Sequence, residues 1–206
     1  MGWLDSALYR RPFEGASARR YERSERPAFG DLDDRLLDAM APMLAGARRL
    51  LDLGCGPGTF ATRAAARHPG VAVIAVEPSR ELARPGVVRA RGEALPIAGG
   101  VIDVAICLSS IRHVRDRAAT FGELRRVVRR GGTLVIVELD PTADARRVAA
   151  HADRLGSWIL RRAFGPLVVR TAPREAEIEA IARSAGWQLR SRRDDAVQPV
   201  YVMELE

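Results

Sequence analysis

The sequence predicts an α/β fold: a doubly wound, mostly parallel seven-stranded sheet with an antiparallel C-terminal hairpin strand. Three observations carry that prediction. Short Val/Ile/Leu-rich runs alternate with helical patterns, the order that lays parallel strands side by side beneath covering helices. The runs 71–76, 102–108 and 133–139 are apolar at most positions rather than at every second one, as in strands buried on both faces. The last two predicted strands, 187–193 and 200–205, are joined only by 194–199, too short for a parallel crossover, so that pair is antiparallel.

The first 30 residues are Arg-rich and irregular, with aromatics at Trp3, Tyr9, Phe13, Tyr21 and Phe29. Residues 31–45 place Leu32, Leu36, Leu37, Met40 and Leu44 at helical spacing, and Pro42 is expected to distort that helix. A strand at 50–53, a Gly-rich turn and a helix at 59–68 follow, the helix stopped by Pro69-Gly70. The run 71–76 reads as a central parallel strand. A short helical piece near 79–84 halts at Pro85-Gly86, and 87–90 is a short strand. Strand 102–108, an amphipathic helix at 115–129, Gly131-Gly132 and strand 133–139 come next. Residues 143–164 read as one helix and 173–185 as another, ended by Gly186.

At 206 residues, one domain is expected, spanning 31–206 behind a leader at 1–30. A composition of 47% hydrophobic and 29% charged residues excludes disorder and collagen, and two cysteines are too few for a disulfide scaffold. No apolar run reaches the ~18 residues a membrane span needs, and no secretory signal pattern opens the chain. Gly2 and Ser6 match a loose myristoylation pattern that fixes too few positions to outweigh chance. Every basic residue is Arg, there is no Lys or Asn, and the net charge is +7. The arginines are scattered, which favours solvated helix faces over a nucleic-acid-binding stripe. Cys55 and Cys107 lack metal-ligand spacing, so no metal is expected, and a reducing cytoplasm fits them.

Function concentrates in the turn Asp52-Leu53-Gly54-Cys55-Gly56-Pro57-Gly58-Thr59, between a strand and a helix. Glycines there permit positive φ and close backbone approach to a ligand. A dinucleotide fingerprint would need Gly at position 59, where Thr59 stands. Glu77, at the end of the next strand, is an acid suited to accept hydrogen bonds from ribose hydroxyls.

L-L-D-L-G-C-G-P-G-T-F resembles the first motif of class I S-adenosylmethionine-dependent methyltransferases. A-V-E-P-S, G-E-A-L-P-I-A-G-G-V-I-D-V and R-R-G-G-T-L-V-I-V-E resemble further motifs of that family, over about 48–140. The small-molecule branch, which includes ubiquinone/menaquinone biosynthesis methyltransferases, is the best match. The resemblance implies a Rossmann-like fold and S-adenosyl-L-methionine as methyl donor, with S-adenosyl-L-homocysteine as product. It implies that Asp52 and the 54–58 loop, with Gly54, Cys55, Gly56 and Gly58, cradle the methionine part of the cofactor. Glu77 would hold the ribose, and Pro78, Gly92 and Glu93 would flank the adenine. Arg91 stands where the family often has an acid that bonds the adenine amino group, and a solvated loop side chain is the simpler role for it.

The loop after strand 102–108 faces the ligand crevice of such a sheet. It carries Ser109 and Ser110, candidates to bond cofactor or acceptor, and His113, matched to a histidine common in the branch. His113 reads either as a general base or as a packing side chain. Tyr21 is either an aromatic face over the sulfonium or a surface residue. Glu138 and Asp140 are alternative polar groups for the site or structural caps, and the apolar stretch at 158–164 is a roof on an apolar or aromatic acceptor, a piece of the core or a dimer seam.

The expected activity is methyl transfer to a small organic acceptor at O, N or C. RNA or protein methylation, and a non-catalytic cofactor-binding regulator, stand as alternatives. Absent N-P-P-Y and D-P-P-Y motifs argue against amino-methylation of adenine in nucleic acid, and the absence of a Pro-Cys pair argues against C5 methylation of cytosine; no specific nucleic-acid partner is expected.

Overall fold

The computed structural model describes residues 13, 15–24 and 26–206. The Gly2/Ser6 pattern and the aromatics Trp3 and Tyr9 lie outside the described residues. The chain begins with α1 (Gly15–Ser24), a 3₁₀ turn (Arg26–Phe29) and α2 (Leu32–Leu44). Then come β1 (Arg49–Leu53), α3 (Thr59–Arg67), β2 (Ala72–Val76), β3 (Ile102–Leu108), a 3₁₀ turn (Ile111–His113), α4 (Arg117–Val127) and β4 (Val128–Leu139). The chain continues with α5 (Ala145–Ala152), α6 (Trp158–Ala163), a π-helix (Phe164–Val169), α7 (Glu175–Ser184), β5 (Leu189–Asp194) and β6 (Val200–Leu205).

One sheet orders these strands β2-β1-β3-β4-β6-β5. β1 to β4 pair in parallel, and β6 alone runs against both of its neighbours, as the short 194–199 connection requires. Successive strand residues point to opposite faces, so Leu50 joins one core and Leu51 the other. The first core packs α2 and α3 on the sheet through Leu36, Met40, Phe60 and Ala64. The second packs α4 and α7 through Phe121, Leu124, Ile178 and Ala182. This two-sided burial explains why the strands read as continuous apolar runs.

Five expectations are corrected. The sheet has six strands, not seven, because 87–90 shrinks to a single bridge between Val88 and Val76. The Pro85-Gly86 turn precedes it and a turn bridging Arg91 and Ala94 follows, leaving no room for a ladder. β2 is an edge strand rather than a central one, and its outer flank is covered only by that bridge. The piece at 79–84 is a turn, not a helix. The helix read at 143–164 is broken after Ala152 and restarts at Trp158, with Gly156 in the gap.

Pro42 is accommodated inside α2, whose last residue lies two positions beyond it. Gly131-Gly132 do not precede a strand but form a bulge within β4, where the pairing jumps from Ile102↔Val128 to Val104↔Thr133.

Candidate functional site

A cavity of about 230 Å³ opens at the carboxyl ends of β1, β2 and β3. The turn after β1 builds its floor. The N–H groups of Gly54 and Cys55 both donate to the Val76 carbonyl, at 2.8 and 3.0 Å, which staples the turn to β2. Gly54 has φ +74°, and a Cβ there would sit 2.4 Å from the Ser110 Cβ. No larger residue therefore lets the loops after β1 and β3 touch. Ser110 Oγ completes that junction by donating to the Leu53 carbonyl at 2.6 Å. Gly56 also has positive φ, +56°, but nothing lies within 4 Å of where its Cβ would be. Its backbone faces open cavity, the surface a ligand could approach.

Glu77 is buried beside this turn. One carboxylate oxygen accepts from the Gly56 N–H at 2.9 Å and the other from the Ser79 N–H at 2.8 Å. A carboxylate offers about four lone-pair directions, so acceptor capacity remains on the cavity side. Burial pushes the Glu77 carboxyl above its ordinary range, and the two N–H bonds pull it back. Burial, with the nearby Asp52 and Glu77 charges, pushes the Cys55 thiol far up and favours its protonated form.

The far wall comes from the loop after β3. Ser109 is the one described non-glycine residue with positive φ, +49°, and its N–H donates to the Val137 carbonyl at 2.7 Å. Its buried Oγ has no hydrogen-bond partner among the described residues. A positive φ and an unsatisfied hydroxyl thus coincide at the cavity wall. His113 ends the 3₁₀ turn, and its ring lies edge-on to Phe13, centroids 4.5 Å apart. Phe13 in turn packs edge-on against Tyr21 at 5.0 Å. Ser79 Oγ donates to the Phe13 carbonyl at 2.6 Å, and Glu22 of α1 pairs with Arg84, so the N-terminal segment is held across the cavity.

Of the residues assigned to the cofactor or to catalysis from the sequence, all line this cavity except Gly58. Gly58 is the N-cap of α3 at φ +80°, and its role is to turn the chain into that helix. Gly92 lines the cavity but also packs, since a Cβ would lie 2.8 Å from Thr120 Cγ2. The Glu93 carboxylate accepts from the N–H groups of Arg115 and Asp116, at 2.7 and 3.0 Å, and so is already engaged in tying its loop to the next. Arg91, read as a solvated side chain, is exposed and lines the cavity rim, as does Arg115.

The alternative polar groups lie elsewhere. Glu138 is fully buried, 3.9 Å from the Arg112 guanidinium, and its carboxyl is pushed up by burial. Asp140 accepts from the Thr142 N–H and hydroxyl at 2.7 and 2.6 Å, closing the turn after β4, whereas the helix that follows is capped by Asp144 and not by Asp140. The stretch 158–164 does not roof the cavity. Sequence reasoning missed Phe29, Phe60, Ser79 and Leu82 as lining residues. Phe13 and Phe29 were visible as leader aromatics, but nothing in their spacing fixed where the leader folds.

A methyltransferase-domain family model matches residues 51–136, which spans β1 to β4 and the cavity turn. A ubiquinone/menaquinone biosynthesis C-methyltransferase of Syntrophotalea carbinolica is 34% identical over 142 residues, covering 62% of this chain and 60% of that protein. A demethylmenaquinone methyltransferase of Roseiflexus castenholzii is 28% identical, covering 68% of this chain and 67% of that protein. Among solved structures, an S-adenosylmethionine-dependent methyltransferase of Aquifex aeolicus superposes with TM-score 0.67 at 14% identity, over 91% of this chain and 97% of that one. The chain thus spans about 60% of the length of the Syntrophotalea relative. In sequence and fold it resembles the class I S-adenosylmethionine-dependent methyltransferases.

Proposed function

We propose that this chain, with its class I methyltransferase fold, transfers the methyl group of S-adenosyl-L-methionine to a small apolar or aromatic acceptor in the cavity described above. The observation that carries the reading is the buried Glu77 carboxylate, anchored by the Gly56 and Ser79 N–H groups beneath an open glycine turn. Those residues fit the cofactor. An acid with spare lone pairs suits two ribose hydroxyls, and the open face at Gly56 suits a ligand pressed against backbone. S-adenosylmethionine supplies a methyl group on a positively charged sulfur, already activated for in-line displacement.

Each wall then has a task. Glu77 accepts the ribose hydroxyls. Asp52 and the Gly54, Cys55 and Gly56 backbone hold the amino-acid end, while Pro78, Gly92 and the Glu93 backbone flank the adenine. Tyr21 presents an aromatic face that attracts positive charge. Ser109 bonds cofactor or acceptor with its spare hydroxyl. Phe13 and Phe29 narrow the cavity and exclude water. His113 holds the acceptor and takes its proton where one must leave. Holding acceptor and methyl in line supplies much of the rate enhancement. The aromatic lining supports an apolar or aromatic acceptor, and so do relatives described as quinone-biosynthesis methyltransferases. A cytoplasmic location belongs to the same proposal, supported by two cysteines that stay free thiols. Among the described residues, no helix is long and apolar enough to cross a membrane.

The deciding experiment pairs calorimetry with a turnover assay. S-adenosylmethionine and S-adenosylhomocysteine should bind and NAD should not. Adding aromatic acceptors, hydroquinones among them, should convert the former into the latter. Binding of NAD without S-adenosylmethionine rejects the cofactor. Binding without acceptor-dependent conversion across the panel rejects the aromatic acceptor.

A further inference from the structure

The stretch that was expected to roof the acceptor lies instead on the outside of the molecule. Trp158 is 72% exposed, Ile159 57% and Leu167 51%, the three most exposed large apolar side chains among the described residues. Leu160 and Phe164 pack into the core, so α6 and the π-helix are anchored on one side and present apolar side chains on the other. Residues 154–174 contain five arginines and no Asp or Glu. Arg162 and Arg174 are exposed there. The acids that follow, Glu175 and Glu177, are paired with Arg192 and Arg117 and leave the surface cationic.

We propose that this surface docks on an anionic lipid bilayer. Large aromatic and aliphatic side chains gain most where one side is hydrocarbon and the other water. The guanidinium groups around them match lipid phosphates. That combination discriminates among occupants. A second copy would set the same five arginines against themselves, with only the exposed Asp153 at the edge of the surface to receive them. A nucleic acid would satisfy the arginines and leave Trp158, Ile159 and Leu167 in water. A bilayer satisfies both sets, and with no crossing helix among the described residues the contact lies on the surface. The docking face is also joined to the cavity. The Arg112 guanidinium donates to the Val168 carbonyl of the π-helix at 3.0 Å, and the next residue along is His113. A surface-bound protein would meet apolar acceptors where they partition.

The test is vesicle co-sedimentation with the full chain, using phosphatidylcholine alone or doped with phosphatidylglycerol. Binding to the doped vesicles should exceed binding to phosphatidylcholine about tenfold or more, and should weaken with salt. The triple variant Trp158→Ala/Ile159→Ala/Leu167→Ala should lose about tenfold or more in affinity while keeping its melting temperature, because these side chains are exposed. Arg162→Gln should lose about fivefold. Brominated acyl chains should quench tryptophan emission in the wild type and much less in Trp158→Phe. Failure to bind the doped vesicles overturns the proposal. So does binding that the apolar variants leave unchanged, which would assign it to scattered arginines. A wild-type dimer that the triple variant abolishes, without vesicle binding, would make the face a self-interface instead. None of these readouts uses the methyl donor, so the cavity reading stands or falls separately.

Discussion

Glu77 both shapes its turn and presents the ligand's acceptor, so the substitution chosen to test it must separate the two. Alanine would release the Gly56 and Ser79 N–H groups as well as the ligand. Glu77→Gln removes the charge at nearly constant volume and keeps one of the two N–H bonds, the other acceptor oxygen being exchanged for an NH2, so its melting curve must be read beside its binding. Charge-assisted bonds of this kind are worth about 1.5–3 kcal/mol, so calorimetry should show S-adenosylmethionine affinity falling roughly tenfold or more with an unchanged fold. Gly56→Val should abolish binding for a different reason. The branched side chain would occupy the open space over the turn and would be forced to φ +56°, a conformation it rarely adopts. His113→Ala should leave cofactor affinity near wild type and lower turnover with the acceptor. Full turnover in a folded His113→Ala protein would make the ring a packing partner of Phe13, leaving transfer to proximity alone.

Elements that one local rule decides were legible in the sequence, whereas elements set by their neighbours were not. The β1–turn–α3 unit was readable because each of its glycines answers a backbone demand. The separation of Gly131-Gly132 from β4 was misread because a bulge looks locally like a loop. There the chain packs so tightly that a Cβ on Gly132 would lie 2.6 Å from Val128 Cγ1 and 2.8 Å from the Asp103 carbonyl oxygen. Gly132→Ala should therefore destabilise the fold by about 1–3 kcal/mol, read as a lower midpoint in urea. The break between α5 and α6 was hidden because its apolar spacing continues across Gly156, and only packing shows where the helix stops. Likewise, Glu93 stands in a recognisable motif, yet nothing local announces that its carboxylate is engaged by the N–H groups of Arg115 and Asp116. The cavity-lining residues at the strand ends were legible from motif order; the aromatic wall at Phe13 and Phe29 was not, because its placement depends on how the leader folds across the sheet.

At the scale of the molecule, His151 links the distant parts. It is buried between Phe164, stacked at 4.4 Å, and Phe29, edge-on at 5.1 Å, and it shares a hydrogen bond with Gln198. Gln198 in turn donates to the carbonyls of Ala28 and Phe29 at 3.4 and 3.2 Å. Burial, helped by the nearby Arg154 charge, holds the imidazole pKa below its ordinary value despite the Gln198 bond. The folded protein thus prefers the neutral ring, and the unfolded chain takes up the proton more readily. This contribution to stability is complete above the ordinary histidine pKa, about 6.5, and is lost as pH falls below it. The melting temperature should drop as pH goes from about 7.5 to about 5.5, and the drop should be shallower in His151→Phe, where no proton can be gained. Because Phe29 also lines the cavity, acid should weaken ligand binding alongside stability in the wild type.

The position of β6 carries a consequence for how the chain is made. In space it lies between β4 and β5, but a ribosome produces it after both. β5 therefore emerges with no strand to pair with, because its sole described ladder is the one with β6. Until residues 200–205 appear, β4 holds an open edge over Leu134, Ile136 and Val137, the kind of surface that recruits other nascent chains. Chaperone demand should therefore peak in the interval between synthesis of β4 and of β6, and a stall in that interval should yield aggregates rather than a folding intermediate that waits.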